Sequence, residues 1–364
     1  MLIKSADALA VYPRSRFRTS QTWNSFVDRH SSGTWWHRQE WIDYSLAYDP
    51  TLVDRSFAIV SEGLNYPQVV GICPALERNG LICMGDDPCA GPLVTEHPGL
   101  SSVRLQWCHD TMIEAIRSRL AGMECWWRWT RFPSDYRNTI ARFASAYGMK
   151  YSAFPTAVVS LWGDPCLSED AYAMASADLS FGTALLVRWT EIRSSYRNLI
   201  KQAARDYDIG YGFDSLWPHY ESCHRQFATR PRPGDTYLHQ FRWLRNQQAL
   251  VLVAFPRGGT EGTMDQDGRV TSPLSWSAVG SGPTPSTTLA ATYVNLYKGH
   301  AYYASGPSMQ TNLQHALQWA AMQALSILRC SSYEVGWIKD DGISFFKRGF
   351  GGDLKFVDVL GGTI

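Results

Sequence analysis

The residues best suited to chemistry gather towards the end of the chain. Ser344 to Gly352 spells SFFKRGFGG. Two adjacent aromatics, the paired cations Lys347 and Arg348, and then Gly349, Gly351 and Gly352 around Phe350 would let backbone and cations approach an anion closely, since glycine carries no Cβ to hold a ligand off. That composition describes a phosphate-facing turn, and equally a glycine-rich turn with solvated cations. A second cationic element is the loop Thr229 to Tyr237, where Pro231 and Pro233 restrict the backbone while Arg230 and Arg232 project. Such a loop suits a phosphate or carboxylate contact, and a plain surface loop reads the same way. The third is a stripe of Arg193, Arg197, Lys201 and Arg205 at four-residue spacing. Like charges at that spacing repel, so the stripe is either a solvated helix face or one that meets something anionic.

Metal chemistry finds no support. His219 and His224 lack the four-residue spacing of a helical metal pair, and none of the eight cysteines form a C-x-x-C, so zinc and disulfide frameworks are not expected. A formal net charge of +1 supplies no global field for nucleic acid or an anionic membrane surface, which makes any anion site local. Hydrophobic residues at 45% and charged residues at 18% describe a globular chain, and 364 residues exceed one ordinary core. Fifteen Trp and eighteen Tyr suit apolar clefts and stacking on rings or sugars, as well as a large core. No run reaches the apolar length of a membrane span and the N-terminus lacks a signal-peptide core, so a cytoplasmic protein with free thiols is expected.

The elements that must position these groups follow from periodicity. A helix is predicted over Thr311 to Arg329 and a strand over Tyr333 to Trp337. They follow a hairpin of Thr292 to Leu296 and His300 to Ala304 closed at Lys298-Gly299, so the region reads as a β-α-β unit. Upstream, helices are predicted over Arg188 to Asp206, Leu216 to Phe227 and Leu238 to Asn246, and a strand over Ala249 to Phe255. Residues 256–288 are rich in Gly, Ser, Thr and Pro; they hold either a strand over Val270 to Val279 or a mobile insertion over a cleft. The first half alternates short strands and helices: a helix around Trp36, Trp41 and Tyr44, a meander over Ser56 to Met84, helices over Ser101 to Leu120 and Asn138 to Tyr147, strands over Glu124 to Phe132 and Pro155 to Trp162. The first thirty residues are polar and give no clear element. A Ser-, Asp- and Ala-rich stretch from Gly163 to Phe181 then reads as a linker or a short helix. The expected organisation is α/β (α+β), with one domain over 1–160 and a second over 161–364, and Leu354 to Ile364 either completing the second or returning to the first.

Two motifs carry a family resemblance. Tyr333-Glu334-Val335-Gly336 followed by Phe345-Phe346-Lys347-Arg348-Gly349-Phe350-Gly351-Gly352 resembles the closing signature of the Fem-type branch of the GNAT acyltransferases, a strand ending in a small residue and then an FK-x-x-F-G turn. Trp189 to Ala203 is similar to the Arg-rich helix that opens the second GNAT-like domain there, and Gly91-Pro92 follows the first meander in the same order. The resemblance implies two tandem GNAT-like domains, each a mixed twisted sheet flanked by helices, and an N-acyltransferase acting as a positioning and polarising device. It implies that Lys347 binds phosphate or polarises the reacting carbonyl, with Phe346 beside it. Arg348 would point elsewhere if the segment is extended. Glu334, on a strand expected beside the cleft, becomes the candidate to take a proton from an incoming ammonium, with an ion-paired strand residue as the alternative. Of Tyr302 and Tyr303, which alternate across a strand, one should face the cleft; Tyr303 is the candidate donor to a leaving group, and packing is the alternative. Arg348, Arg230, Arg232, Arg197 and Trp36 complete the candidate substrate contacts.

The co-substrate so implied is acyl-CoA and the acceptor a nucleotide-linked amino sugar, as in cell-envelope polysaccharide biosynthesis. The chain departs from the usual pyrophosphate loop: Ser305 to Asn312, SGPSMQTN, lacks Q/R-x-x-G-x-G/A, which fits the Fem-type branch better. The alternative in that branch takes an aminoacyl group from tRNA to extend a peptidoglycan precursor peptide. A different class, a non-catalytic nucleotide- or sugar-binding protein on the same fold, is kept beside both.

Overall fold

The structure, a computed structural model, describes residues 8–17, 21–62, 67–85, 87–96, 100–130, 137–161, 189–256, 287–338 and 342–364. The chain divides into two compact units, Met1–Phe154 with Phe356–Ile364 and Pro155–Lys355. The expectations for Gly163 to Phe181 and for Val270 to Val279 lie outside the described residues.

In the first unit β1 (Leu9–Pro13) and α1 (Thr22–Arg29) occupy the stretch that gave no clear element in the sequence. α2 (Gln39–Tyr48) is shorter than the predicted helix, because Trp35–His37 forms a 3-10 turn capped by Thr34. The meander resolves into β2 (Val53–Asp54), β3 (Phe57–Ser61), β4 (Gln68–Cys73), β5 (Leu76–Arg78) and β6 (Leu81–Ile82), followed by β7 (Cys89–Ala90) and β8 (Leu93–Val94). β1, β3, β4 and β8 make one antiparallel sheet, against which α3 (Ser102–Arg119) packs. β9 (Glu124–Thr130) is the spine of a second sheet, with β6 and β7 parallel to it. Val357 to Thr363, from the end of the chain, pair antiparallel with Thr130 to Glu124 in this unit. α4 (Arg137–Tyr147) sets Phe143 face to face with Trp129.

The second unit starts in the latter half of β10 (Lys150–Ser160) and continues through α5 (Ser194–Asp206), β11 (Tyr207–Gly212), α6 (Trp217–Phe227), α7 (Gly234–Arg245) and β12 (Ala249–Pro256). β13 (Ala290–Tyr297), β14 (His300–Ser305), α8 (Thr311–Ile327), β15 (Ser332–Trp337), α9 (Gly342–Arg348) and the first residues of β16 (Asp353–Thr363) follow. Its sheet runs β11-β12-β13-β14-β15-β10. β13 and β14 join through Lys298 and Gly299, both at positive φ, the turn geometry that matches strand twist.

One face of this sheet carries Leu250, Leu252, Ala254, Val294, Ala301, Tyr333 and Val335 against α5 and α8. α5 turns Tyr196, Ile200, Ala203 and Ala204 inwards, one apolar stripe of a 3.6-residue repeat. α8 is buried along most of its length by Leu313, Leu317, Ala320, Ala321, Ala324 and Leu325, each fully buried leucine contributing roughly 1.5–3 kcal/mol. The other face of β12 and β13 is covered by α6 and α7, with the Tyr220 and Tyr293 rings 5.1 Å apart. Among the described residues no helix is long and apolar enough to cross a membrane.

Candidate active site

The second unit's sheet opens at its centre. β14 and β15 run parallel and pair only over His300–Ser332, Ala301–Tyr333 and Tyr302–Glu334. Beyond that point β14 pairs only with β13, and β15 with β10. Each strand carries a bulge where they part. Tyr293 opposes Ser305 while Val294 opposes Tyr303, leaving Ala304 as the extra residue; Val335 is the extra residue opposite Ala157 and Val158. Bulges re-aim the side chains that follow them, which sets Ser305 on the face of Tyr293.

Tyr333 and Val335 point into the α8 core, so Glu334 points to the opposite face. It is buried, and Thr156 Oγ1 donates to Glu334 Oε1 at 2.8 Å. Tyr302 is its cross-strand neighbour, and Asn295 is the next residue in the row. Asn295 is buried with neither amide atom hydrogen-bonded among the described residues, a feature that the sequence alone could not flag.

Tyr303 lies on the α8 side. Its hydroxyl and Gln314 Oε1 both occupy the space that a Cβ on Gly306 would need, at 2.5 and 2.4 Å from that position. Burial pushes the Tyr303 hydroxyl well above the ordinary tyrosine value, the Tyr220 hydroxyl adds to this, and Arg232 opposes it. Tyr303 therefore keeps its proton near neutrality and has one to donate. Tyr333, also raised by burial, donates to Gln318 Oε1 at 2.6 Å.

Lys347 is tied to β15. Its Nζ donates to the Trp337 carbonyl at 2.9 Å and sits 3.0 Å from where a Cβ of Gly336 would lie; Gly336 has φ +106°. The ammonium is thus held at the end of β15 that has parted from β14. The segment around it is not the extended turn that the sequence suggested. Gly342–Arg348 is helical, so Lys347 and Arg348 diverge by about 100° around the helix axis, not by strand alternation. Arg348 is exposed, with no side-chain partner among the described residues. Phe346 turns inwards, onto His315 at 4.9 Å and Phe350 at 5.0 Å between ring centroids.

The glycines that follow answer to packing. A Cβ on Gly349 would fall 1.9 Å from the Tyr196 ring, and one on Gly352 2.5 Å from the Val158 carbonyl oxygen.

The remaining candidates scatter. Arg197 donates to the Thr190 carbonyl at 3.1 Å, Arg193 stacks 3.8 Å over the Phe345 ring and Arg205 Nε donates to the Lys201 carbonyl at 3.4 Å, so three of the four cations of the stripe are engaged within the protein. Arg230 is exposed. Arg232 donates from a guanidinium nitrogen to the Tyr220 hydroxyl at 2.9 Å. Trp36 belongs to the first unit, with the Arg128 guanidinium 4.2 Å over its ring and Trp41 edge-on at 4.6 Å. The structure thus places Glu334, Tyr303 and Lys347 along the parted strands, with Glu334 and Tyr303 on opposite faces of the sheet. Ser305, Tyr220 and Gln240 also belong there, and no sequence motif marks them.

His224, beside Tyr237 at 3.0 Å, has its pKa lowered to about 4 by burial first and then by Arg232 and Arg225. Its folded value lies below the ordinary 6.5, so protonation favours unfolding. Stability should fall as pH drops from about 6.5 to 4 and level off below. After allowance for screening the loss by pH 5 is roughly 1–2 kcal/mol. Urea unfolding at pH 7.5 and pH 5 measures it, and His224→Phe should remove that part of the slope.

Neither a protein-family model nor a curated protein matches this sequence. Solved structures match its fold. FemX aligns with a TM-score of 0.55 at 11% identity, over 93% of this chain and 95% of that one. L-PGS from Bacillus licheniformis aligns with a TM-score of 0.51 at 9% identity, over 94% and 90%. A tandem GNAT protein from the clavulanic acid biosynthesis pathway aligns at 0.47 and 12% identity, over 97% and 98%. The chain has a mixed α/β fold like that of FemX and L-PGS.

Proposed function

We propose that the protein transfers an acyl or aminoacyl group to an amine in the second unit. The observation that carries this reading is the parting of β14 and β15 just beyond the buried Glu334. Parted parallel strands expose backbone donors and acceptors along two edges, against which an extended donor can lie as a strand would. Glu334 takes the proton released by the attacking amine. Lys347 draws the anionic part of a substrate to the end of β15, and Tyr303 protonates the leaving group. Arg232 reaches this region through Tyr220, whereas Arg197, Arg230 and Arg348 have contacts or positions that leave them as peripheral substrate contacts, and Trp36, in the first unit, has no part in this site.

On the resemblance of the two sequence motifs, the donor is acyl-CoA and the acceptor a nucleotide-linked amino sugar. A second reading has a specific observation in its favour. Ser305 to Asn312 lacks the pyrophosphate-binding pattern, which suits a charged tRNA as donor and a peptidoglycan precursor peptide as acceptor.

Thermal unfolding with coenzyme A, acetyl-CoA, a nucleoside diphosphate and charged tRNA, one at a time, tests this. A ligand bound only by the native state raises the midpoint by mass action. Shifts with coenzyme A and a nucleotide support the sugar N-acyltransferase. Shifts with nucleotide and tRNA alone select the aminoacyl reading, and a set of flat midpoints contradicts both.

A further inference from the structure

A directional chain of hydrogen bonds ends at the parted strands. Arg232 donates to the Tyr220 hydroxyl at 2.9 Å, and Gln240 Nε2 lies 3.4 Å from the same oxygen. Both are nitrogen donors, so the Tyr220 oxygen is an acceptor towards each of them. Its own proton is then directed to Ser305 Oγ, 2.7 Å away. In that direction Ser305 Oγ is the acceptor from Tyr220; it makes no other side-chain hydrogen bond among the described residues and is only half-buried. Its proton remains to be given.

The site is built, not incidental. Tyr220 is completely buried, Gln240 is buried with its Oε1 unbonded among the described residues, and Tyr293 donates to the Gln240 backbone carbonyl at 2.8 Å. Ser305 reaches this network because the bulge at Ala304 turns it onto the Tyr293 face, the face to which Glu334 also points. It stands three residues beyond Tyr302, where β14 has left β15. A cation at one end of such a chain polarises each hydroxyl in turn and strengthens the last donor.

We propose that Ser305, polarised by Arg232 through Tyr220, donates a hydrogen bond to the carbonyl oxygen of the acyl donor and holds the oxyanion formed there. This rests on the acyl-transfer reading of the same site and assigns it a donor that the sequence did not indicate. The neutral amine nitrogen adds to the carbonyl carbon while the π pair moves onto oxygen, which accepts from Ser305 with no proton transferred. Glu334 takes a proton from the nitrogen. The oxygen pair then re-forms the carbonyl and the bond to the donor's sulfur or oxygen breaks with its pair; the leaving atom takes the Tyr303 proton, Tyr303 regains one from water, and Glu334 releases its proton to water.

Steady-state kinetics on the full chain test it, with acetyl-CoA and a UDP-linked amino sugar in one series and alanyl-tRNA and a nucleotide-linked cell-wall peptide precursor in the other. Ser305→Ala and Tyr220→Phe should each lower kcat by about a hundredfold with KM nearly unchanged, the size of one lost oxyanion donor. The double variant should be no slower than Ser305→Ala, because the two act as one unit. Ser305→Thr, which keeps the hydroxyl, should recover most of kcat. Ser305→Ala at wild-type kcat, single losses that multiply in the double variant, or Ser305→Thr as slow as Ser305→Ala each overturn the relay alone. Wild-type protein that consumes neither donor overturns the acyl-transfer reading and the relay with it.

Discussion

Glu334→Gln is expected to leave the protein folded and to slow acyl transfer by roughly a hundred- to ten-thousandfold, the range contributed by a positioned general base. The substitution keeps size and shape. Thr156 Oγ1, which donates to Glu334 Oε1, would find an amide oxygen in the same place, so the strand pairing of β15 with β10 should survive. What disappears is the basic oxygen, and with it the route for the proton that the amine must lose. The expected signature is a fall in kcat at unchanged melting temperature. Lys347→Ala should behave differently. It removes the link to the Trp337 carbonyl and the charge at the end of β15, so KM for an anionic substrate should rise as kcat falls. Wild-type kcat in Glu334→Gln would reduce Glu334 to a buried strand carboxylate held by Thr156.

The largest effect on stability is expected at Gly352. Its φ of +85° lies in the region that side chains rarely adopt, and an added Cβ would sit 2.5 Å from the Val158 carbonyl oxygen. Backbone strain costs on the order of 1–3 kcal/mol and forced overpacking a similar amount. Gly352→Ala should therefore lose about 3–5 kcal/mol, a large part of a typical domain's stability. The clash is with backbone, which cannot swing aside as a flexible side chain would. Urea unfolding measures the loss, and a change below about 1 kcal/mol would show that β10 can yield at Val158.

The contrast between these two positions shows what the sequence made legible. The apolar spacing of Thr311 to Arg329 and the β-rich run after it located α8 and β15 to within two residues, and Lys298-Gly299 marked the hairpin by the backbone geometry it demands. Glu334 could be named because the family resemblance puts its strand beside the cleft.

Other elements depended on contacts that no local pattern reports. Gly349, Gly351 and Gly352 suggested an anion-facing turn, yet two of them are fixed by the Tyr196 ring and the Val158 carbonyl. The glycines also obscured the short helix before them, which is fastened by Lys347 to the Trp337 carbonyl and by the burial of Phe350. β11 was missed because YDIGYG has weak strand propensity and exists through pairing with β12. Arg232, named from its loop, proved to act on a tyrosine, and the Tyr220–Ser305 bond joins residues 85 apart in the chain.

Mass spectrometry of the acceptor tests the central claim most directly. Wild-type protein and Glu334→Gln are each incubated with acetyl-CoA and a UDP-linked amino sugar, and with alanyl-tRNA and a nucleotide-linked cell-wall peptide precursor. The account predicts that one acceptor gains the mass of a single acyl or aminoacyl group with the wild type, and gains it far more slowly with the variant. Acceptors that keep their mass with both donors, in the presence of folded wild-type protein, would contradict it.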